Sequence, residues 1–109
     1  MYNYRLNQLD RLNEQLNNSY KEYIHKLIKN NIITKDNAKN EELKKSLIHD
    51  FILKEQLTIC MIVDLECKIA GMSRHSYQHY ELMVSNMTSE IFIPIYNKII
   101  NSKVINEPQ

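Results

Sequence analysis

Apolar side chains recur every three or four residues along most of this chain, and that spacing constrains the fold more than any other feature. From about 4 to 30 they are Leu6, Leu9, Leu12, Leu16, Tyr20, Tyr23, Ile24, Leu27 and Ile28, with Asn, Gln, Arg, Lys and Glu between them. Such steps return to one face of an α-helix. A third stretch repeats the pattern with Tyr77, Tyr80, Val84, Met87, Ile91, Ile95 and Ile99. The chain has one Gly and two Pro in 109 residues, far too few for a turn-rich β-sandwich or barrel. An all-α fold is expected.

The middle stretch, about 41–70, is different in kind. Its first half, with Leu43, Leu47, Ile48, Phe51 and Ile52, is an ordinary amphipathic helix. Its second half holds Leu57, Ile59, Cys60, Met61, Ile62, Val63, Leu65, Cys67, Ile69 and Ala70. At 100° per residue these cover nearly the whole circumference, and a helix apolar all round must be buried all round. The β-branched Thr58, Ile59, Ile62 and Val63 allow a short buried strand, but no second strand exists to pair with it.

Punctuation fits three long helices, at about 4–30, 41–70 and 73–101. Asn30 and Asn31 suit a left-handed end to the first, and Ile32 and Ile33 are expected to tuck back onto the core. Asn40 followed by Glu41 and Glu42 reads as a capped start to the second, with Asp36 as an alternative cap. Gly71 stands where a C-terminal cap belongs. Ser73 or Ser76 would start the third. Pro94 predicts a kink or split there, giving a fourth helical piece that Ser85, Thr88 or Ser89 would cap. Matched lengths suggest an up-down-up bundle: one helical domain over 1–101 and a flexible tail over 102–109.

Charge and cysteine usage narrow the functional classes. With 14 basic and 13 acidic residues the net charge is +1, so composition lends no support to nucleic-acid binding. Cys60 and Cys67 lie about two helical turns apart, too far for a disulfide within one helix, and read as free buried thiols. No apolar signal-peptide core opens the chain, and the longest apolar run, 59–63, is far short of the ~20 residues that span a bilayer. The expectation is a cytoplasmic protein without a membrane segment.

A bundle of this length cannot easily hide residues 57–70 by itself: either the fourth helical piece covers them or another chain does, and an exposed apolar patch of that size marks an interface. The residues expected to form it are Leu57, Met61, Ile62, Leu65 and Ile69. The function expected is a non-enzymatic protein–protein interaction module of accessory, regulatory, inhibitor, immunity or chaperone type. Its partner would be another protein or a second copy, with a homodimer as the simplest closure.

One short motif carries chemistry. Arg74-His75-Ser76-Tyr77-Gln78-His79, preceded by Gly71-Met72, resembles the signature of the HEPN family, small all-helical ribonucleases and toxins that usually dimerise. The resemblance covers about six residues. It implies a metal-independent ribonuclease in which Arg74 holds phosphate oxygens, His79 assists attack by the 2′-hydroxyl, and His75 supports it. The chain departs from the family where many members carry an aromatic two residues after the His: Glu81 stands there, with Tyr80 one position early.

His75 and His79 are also spaced i, i+4, but no third ligand is adjacent, so neither metal nor cofactor is expected. His25 and His49 are isolated and carry no assigned role. The pairs Tyr20/Tyr23 and Tyr77/Tyr80 continue the apolar stripes and read as core, with hydroxyls at the rim. Met61, Met72, Met83 and Met87 read as core filler.

Overall fold

The first helix, α1 (Tyr2–Lys29), is unbroken over 28 residues. At about 1.5 Å per residue it is ~42 Å long. The molecule measures 51 × 26 × 19 Å, so α1 must lie along its long dimension. The computed structural model describes residues 2–71 and 77–102, with side chains from Tyr4 onward. After α1 come α2 (Glu41–Lys54), α3 (Gln56–Ile69), α4 (Tyr77–Met87), a π-helical turn (Thr88–Phe92) and α5 (Ile93–Ile100). Among the described residues there is no strand, as the spacing requires.

α1 buries Leu16, Tyr20, Ile24 and Ile28 at four-residue steps, with Leu9, Leu12, Tyr23 and Leu27 packed at the edges. Its end follows the Asn signal. Asn31 takes a φ of +62°, and Ile32 N–H and Asn31 N–H bond back to Leu27 O and Ile28 O, satisfying carbonyls the helix leaves open. Only half of the expected tuck is made: Ile33 is buried and Ile32 is exposed.

In the loop, Asn37 accepts from Thr34 N at 2.7 Å and donates to Ile32 O at 3.0 Å. Asn40, not Asp36, caps α2, its Oδ1 accepting from Leu43 N at 3.0 Å. Gly71 sits at a φ of +81°, the left-handed geometry that closes α3 as expected. The expected caps Ser73 and Ser76 lie outside the described residues. Ser102, placed at the start of the tail, bonds back to Ile99 O through both its amide and its hydroxyl. Residues 103–109 lie outside the described residues.

The middle stretch is two helices rather than one. They are divided at Glu55, whose φ of −102° and ψ of +22° leave the helical region, where ψ is about −42°. The ladder survives around it: Glu55 N–H reaches Phe51 O, and Ile59 N–H reaches Glu55 O. The chain therefore bends. On a straight helix the buried set Lys44, Leu47, Ile48 and Phe51 would point about 70° away from Ile59, Ile62, Val63, Leu65 and Cys67. The bend lets both sets face one core.

The third stretch stays continuous through Pro94, but its ladder widens just before it. Ile93 N–H bonds to Thr88 O, five residues back. Pro94, in the first turn of α5, has no N–H to give the carbonyl four residues back and would crowd it in a regular turn. The wider π turn accommodates both facts. Thr88 does not cap a new helix; its hydroxyl donates to Val84 O at 2.9 Å.

The core is centred on rings. Tyr20 lies 5.0 Å from Phe51 and 4.8 Å from Phe92 between centroids, and Tyr23 lies 5.2 Å from Phe51. Tyr96 reaches from α5 to donate to Ala38 O at 2.6 Å, tying the loop to the last helix.

Candidate functional site

α3 is covered on two sides, by α1 and by α4. Its inward arc buries Ile59, Ile62, Val63, Leu65 and Cys67. Most of the apolar circumference that sequence reasoning expected to need a partner is thus enclosed by the chain itself. Of the five expected interface residues, Ile62 and Leu65 point inward, and Ile69 is half-buried. Charging Ile62 or Leu65 would break the core rather than report on a surface.

What remains outside is narrower. Leu57 is 83% exposed and Met61 48% exposed. Leu53, on the last turn of α2, is 56% exposed and was not among the expected residues. Leu57 and Met61 stand one turn apart on α3, and Leu53 precedes them by four residues on the other side of the bend. Leu53 was missed because it belongs neither to the amphipathic set Leu43, Leu47, Ile48, Phe51 and Ile52 nor to the apolar stretch 57–70. Cys60 beside them is half-buried and Cys67 buried; both are free thiols. Burial pushes the Cys67 thiol up, with Asp64 and Glu66 adding to the shift.

The histidine-bearing motif falls at the other end of α3. Arg74 and His75 lie outside the described residues. His79 is half-buried in the first turn of α4, where its charge acts on Glu66 of α3. Burial raises the Glu66 carboxyl above its usual range, and His79 pulls it back down. Tyr80, next along, has its hydroxyl pushed up by burial and by Cys60, so it lies against α3. Tyr77 is 72% exposed and interacts with Glu81 one turn on, so the expected Tyr77/Tyr80 core pair is split. Among the described residues no group of three His, Cys, Asp or Glu is placed to hold a metal, and no helix is long and apolar enough to cross a membrane.

A polar feature absent from the sequence reading lies between the start of α2 and the end of α5. Lys44 is buried to 8% exposure. Its Nζ is 3.3 Å from Glu41 Oε1 and donates to Asn97 Oδ1 at 3.3 Å; it also stands 5.7 Å from the Tyr96 ring centroid. Here it lines a recess of about 320 Å³ with Lys39, Glu41, Asn97, Ile100 and Asn101. In the sequence Lys44 is one of several lysines beside acids, and nothing there marks it as buried.

Compared with protein-family models, with curated proteins and with solved structures, the chain finds no match. The assignment of a role therefore rests on these surfaces alone.

Proposed function

We propose that the chain is a small non-enzymatic helical interaction module of the cytoplasm, accessory or regulatory in kind, that acts through an apolar helical face and pairs with a second copy of itself. In this reading α2 with α3, and α4 with α5, are the bent arms of a three-arm bundle built on α1. The observation that carries it is Leu57, exposed over 83% of its surface, with Met61 exposed one turn on along α3 and Leu53 exposed just before the bend. Scattered exposed leucines are ordinary, whereas exposed apolar residues gathered in one short stretch of chain suit an interface. A net charge of +1 sets little repulsion between copies.

Sedimentation equilibrium over a wide concentration range tests this. The wild-type chain should dimerise. Leu57→Glu should weaken association at least about tenfold, or ~1.4 kcal/mol, with helix content unchanged because the side chain contributes little to the core. A wild-type chain that stays a single copy at every concentration removes the reading.

The alternative is an HEPN-like ribonuclease using Arg74 and His79, supported by His75. One observation favours it: His79 acts on the Glu66 carboxyl and lowers it, which puts an acid able to orient an imidazole within reach. Purified chain that leaves RNA intact without metal would dismiss it.

A further inference from the structure

The recess beside Lys44 has an unusual balance of hydrogen-bonding groups. Lysine carries three N–H donors and no acceptor. Two of those at Lys44 are engaged, by Glu41 Oε1 and Asn97 Oδ1, which leaves the third without a partner among the described residues. Because the Asn97 carbonyl oxygen accepts from Lys44, the donors of the same amide remain for another acceptor. Lys39 and Asn101 stand in the same wall and bring an ammonium and a second amide. The one acid, Glu41, is already paired with Lys44. The site therefore offers several donors, a surplus positive charge from Lys39 and one committed carboxylate.

A lysine buried this deeply sacrifices hydration, and one ion pair and one contact to a neutral amide only partly replace it. Its amine is also held in one direction, by the Tyr96 ring below and by Asn97 from α5. A surface lysine would sample many directions, and each would have to be ordered before it could grip a ligand. Tyr96 is itself pinned through its hydroxyl to Ala38 O, so the floor of the recess is braced from the loop, from α2 and from α5 together.

From this geometry we infer that the recess between α2 and α5 is a binding site for a small oxyanion group, a carboxylate or phosphate, with Lys44 and Asn97 at its floor and Lys39 and Asn101 at its rim. A volume of about 320 Å³ admits such a group on a small polar molecule and is too small for a macromolecular segment. The site lies at the start of α2, whereas the Leu57 face takes in the last turn of that helix and α3, so it stands independently of the proposed dimer.

The test is an NMR titration of the full chain with inorganic phosphate, and separately with acetate, against sodium chloride at matched ionic strength. Saturable amide shifts should centre on residues 39, 44, 97 and 101. Lys39→Ala should weaken binding several-fold, and Glu41→Gln should tighten it by removing the competing carboxylate. Lys35→Ala, which changes the net charge by the same amount outside the recess, should leave affinity unchanged. Phosphate without acetate, or the reverse, would identify the oxyanion it takes. Lys39, Glu41 and Lys35 are all exposed; because Glu41→Gln also gives up the ion pair to Lys44, a urea melt of that variant accompanies its titration. Shifts spread over all lysines, shifts that chloride reproduces, an equal effect of Lys35→Ala, or no shift at all would each overturn the assignment.

Discussion

Tyr20 concentrates the tension in this core into one side chain. Its ring is fully buried and touches Phe51 and Phe92, contacts worth more than area alone. Its hydroxyl is buried and finds no hydrogen-bond partner among the described residues, at a desolvation cost of roughly 1–3 kcal/mol. Tyr23 and Tyr96 do better, donating to Leu47 O and Ala38 O. Tyr20→Phe should therefore keep the ring contacts and raise stability by about 1 kcal/mol in urea denaturation, whereas Tyr96→Phe should lower it. The pH dependence has a definite sign. Burial raises the Tyr20 hydroxyl far above its ordinary value, with Tyr96 and Tyr23 adding to it. Below about pH 10 the phenol is neutral in folded and unfolded chains alike, and above it the unfolded chain ionises first. Stability should fall as pH climbs past that point, and less steeply in Tyr20→Phe. An unchanged slope would mean that Tyr20 takes no part. The sequence places both tyrosines in the core with hydroxyls at the rim. That holds for Tyr23, whereas Tyr20, at the crossing of α1 with α2 and the π turn, has no rim to reach.

Among the elements, the π turn decides which residues of the last stretch are core. A regular period puts Met87, Ile91, Ile95 and Ile99 on one face. One extra residue in the turn moves the inward line by one position, so Phe92 and Tyr96 are fully buried while Ile91 and Ile95 are only partly so. Phe92→Ala should cost about 3–5 kcal/mol, the loss usual for a fully buried ring, and Ile91→Ala clearly less. Equilibrium unfolding ranks them, and the reverse order would restore a regular helix. Pro94 announces a disturbance in the sequence, but whether it kinks, breaks or widens the helix depends on what lies opposite. Here Tyr20 and Phe51 offer an aromatic site that Phe92 fills. The bend at Glu55 leaves no local trace at all, because Lys54, Glu55 and Gln56 are good helix formers. It exists to bring two misaligned faces onto one core. The ends marked by Asn31, Asn40 and Gly71 are legible because each depends on one side chain or one backbone angle, and the interior breaks are not because they depend on partners distant in sequence.

At the scale of the whole molecule, the same bend explains why so little of α3 is left uncovered. A straight 41–70 helix would have set Phe51 and Ile59 about 80° apart around its axis. The bent one encloses both and leaves Leu53, Leu57 and Met61 exposed. The candidate surface was legible in kind but not in membership, since hydropathy counts apolar residues and only packing sorts inward from outward. If that surface is covered by a second copy, folding and association are linked. Unfolding then turns one dimer into two chains, and dilution favours the unfolded side. For two chains of 109 residues, an unfolding entropy near 2.1 cal/mol/K per residue makes each tenfold rise in concentration worth about 3 °C in Tm. Wild-type Tm should climb by that amount per decade of protein, measured by circular dichroism. Leu57→Glu should melt at one temperature throughout, because a single chain unfolds without reference to its neighbours. The two slopes separate a surface that joins copies from one that is merely apolar. A flat wild-type curve would leave Leu57 exposed with no second copy upon it.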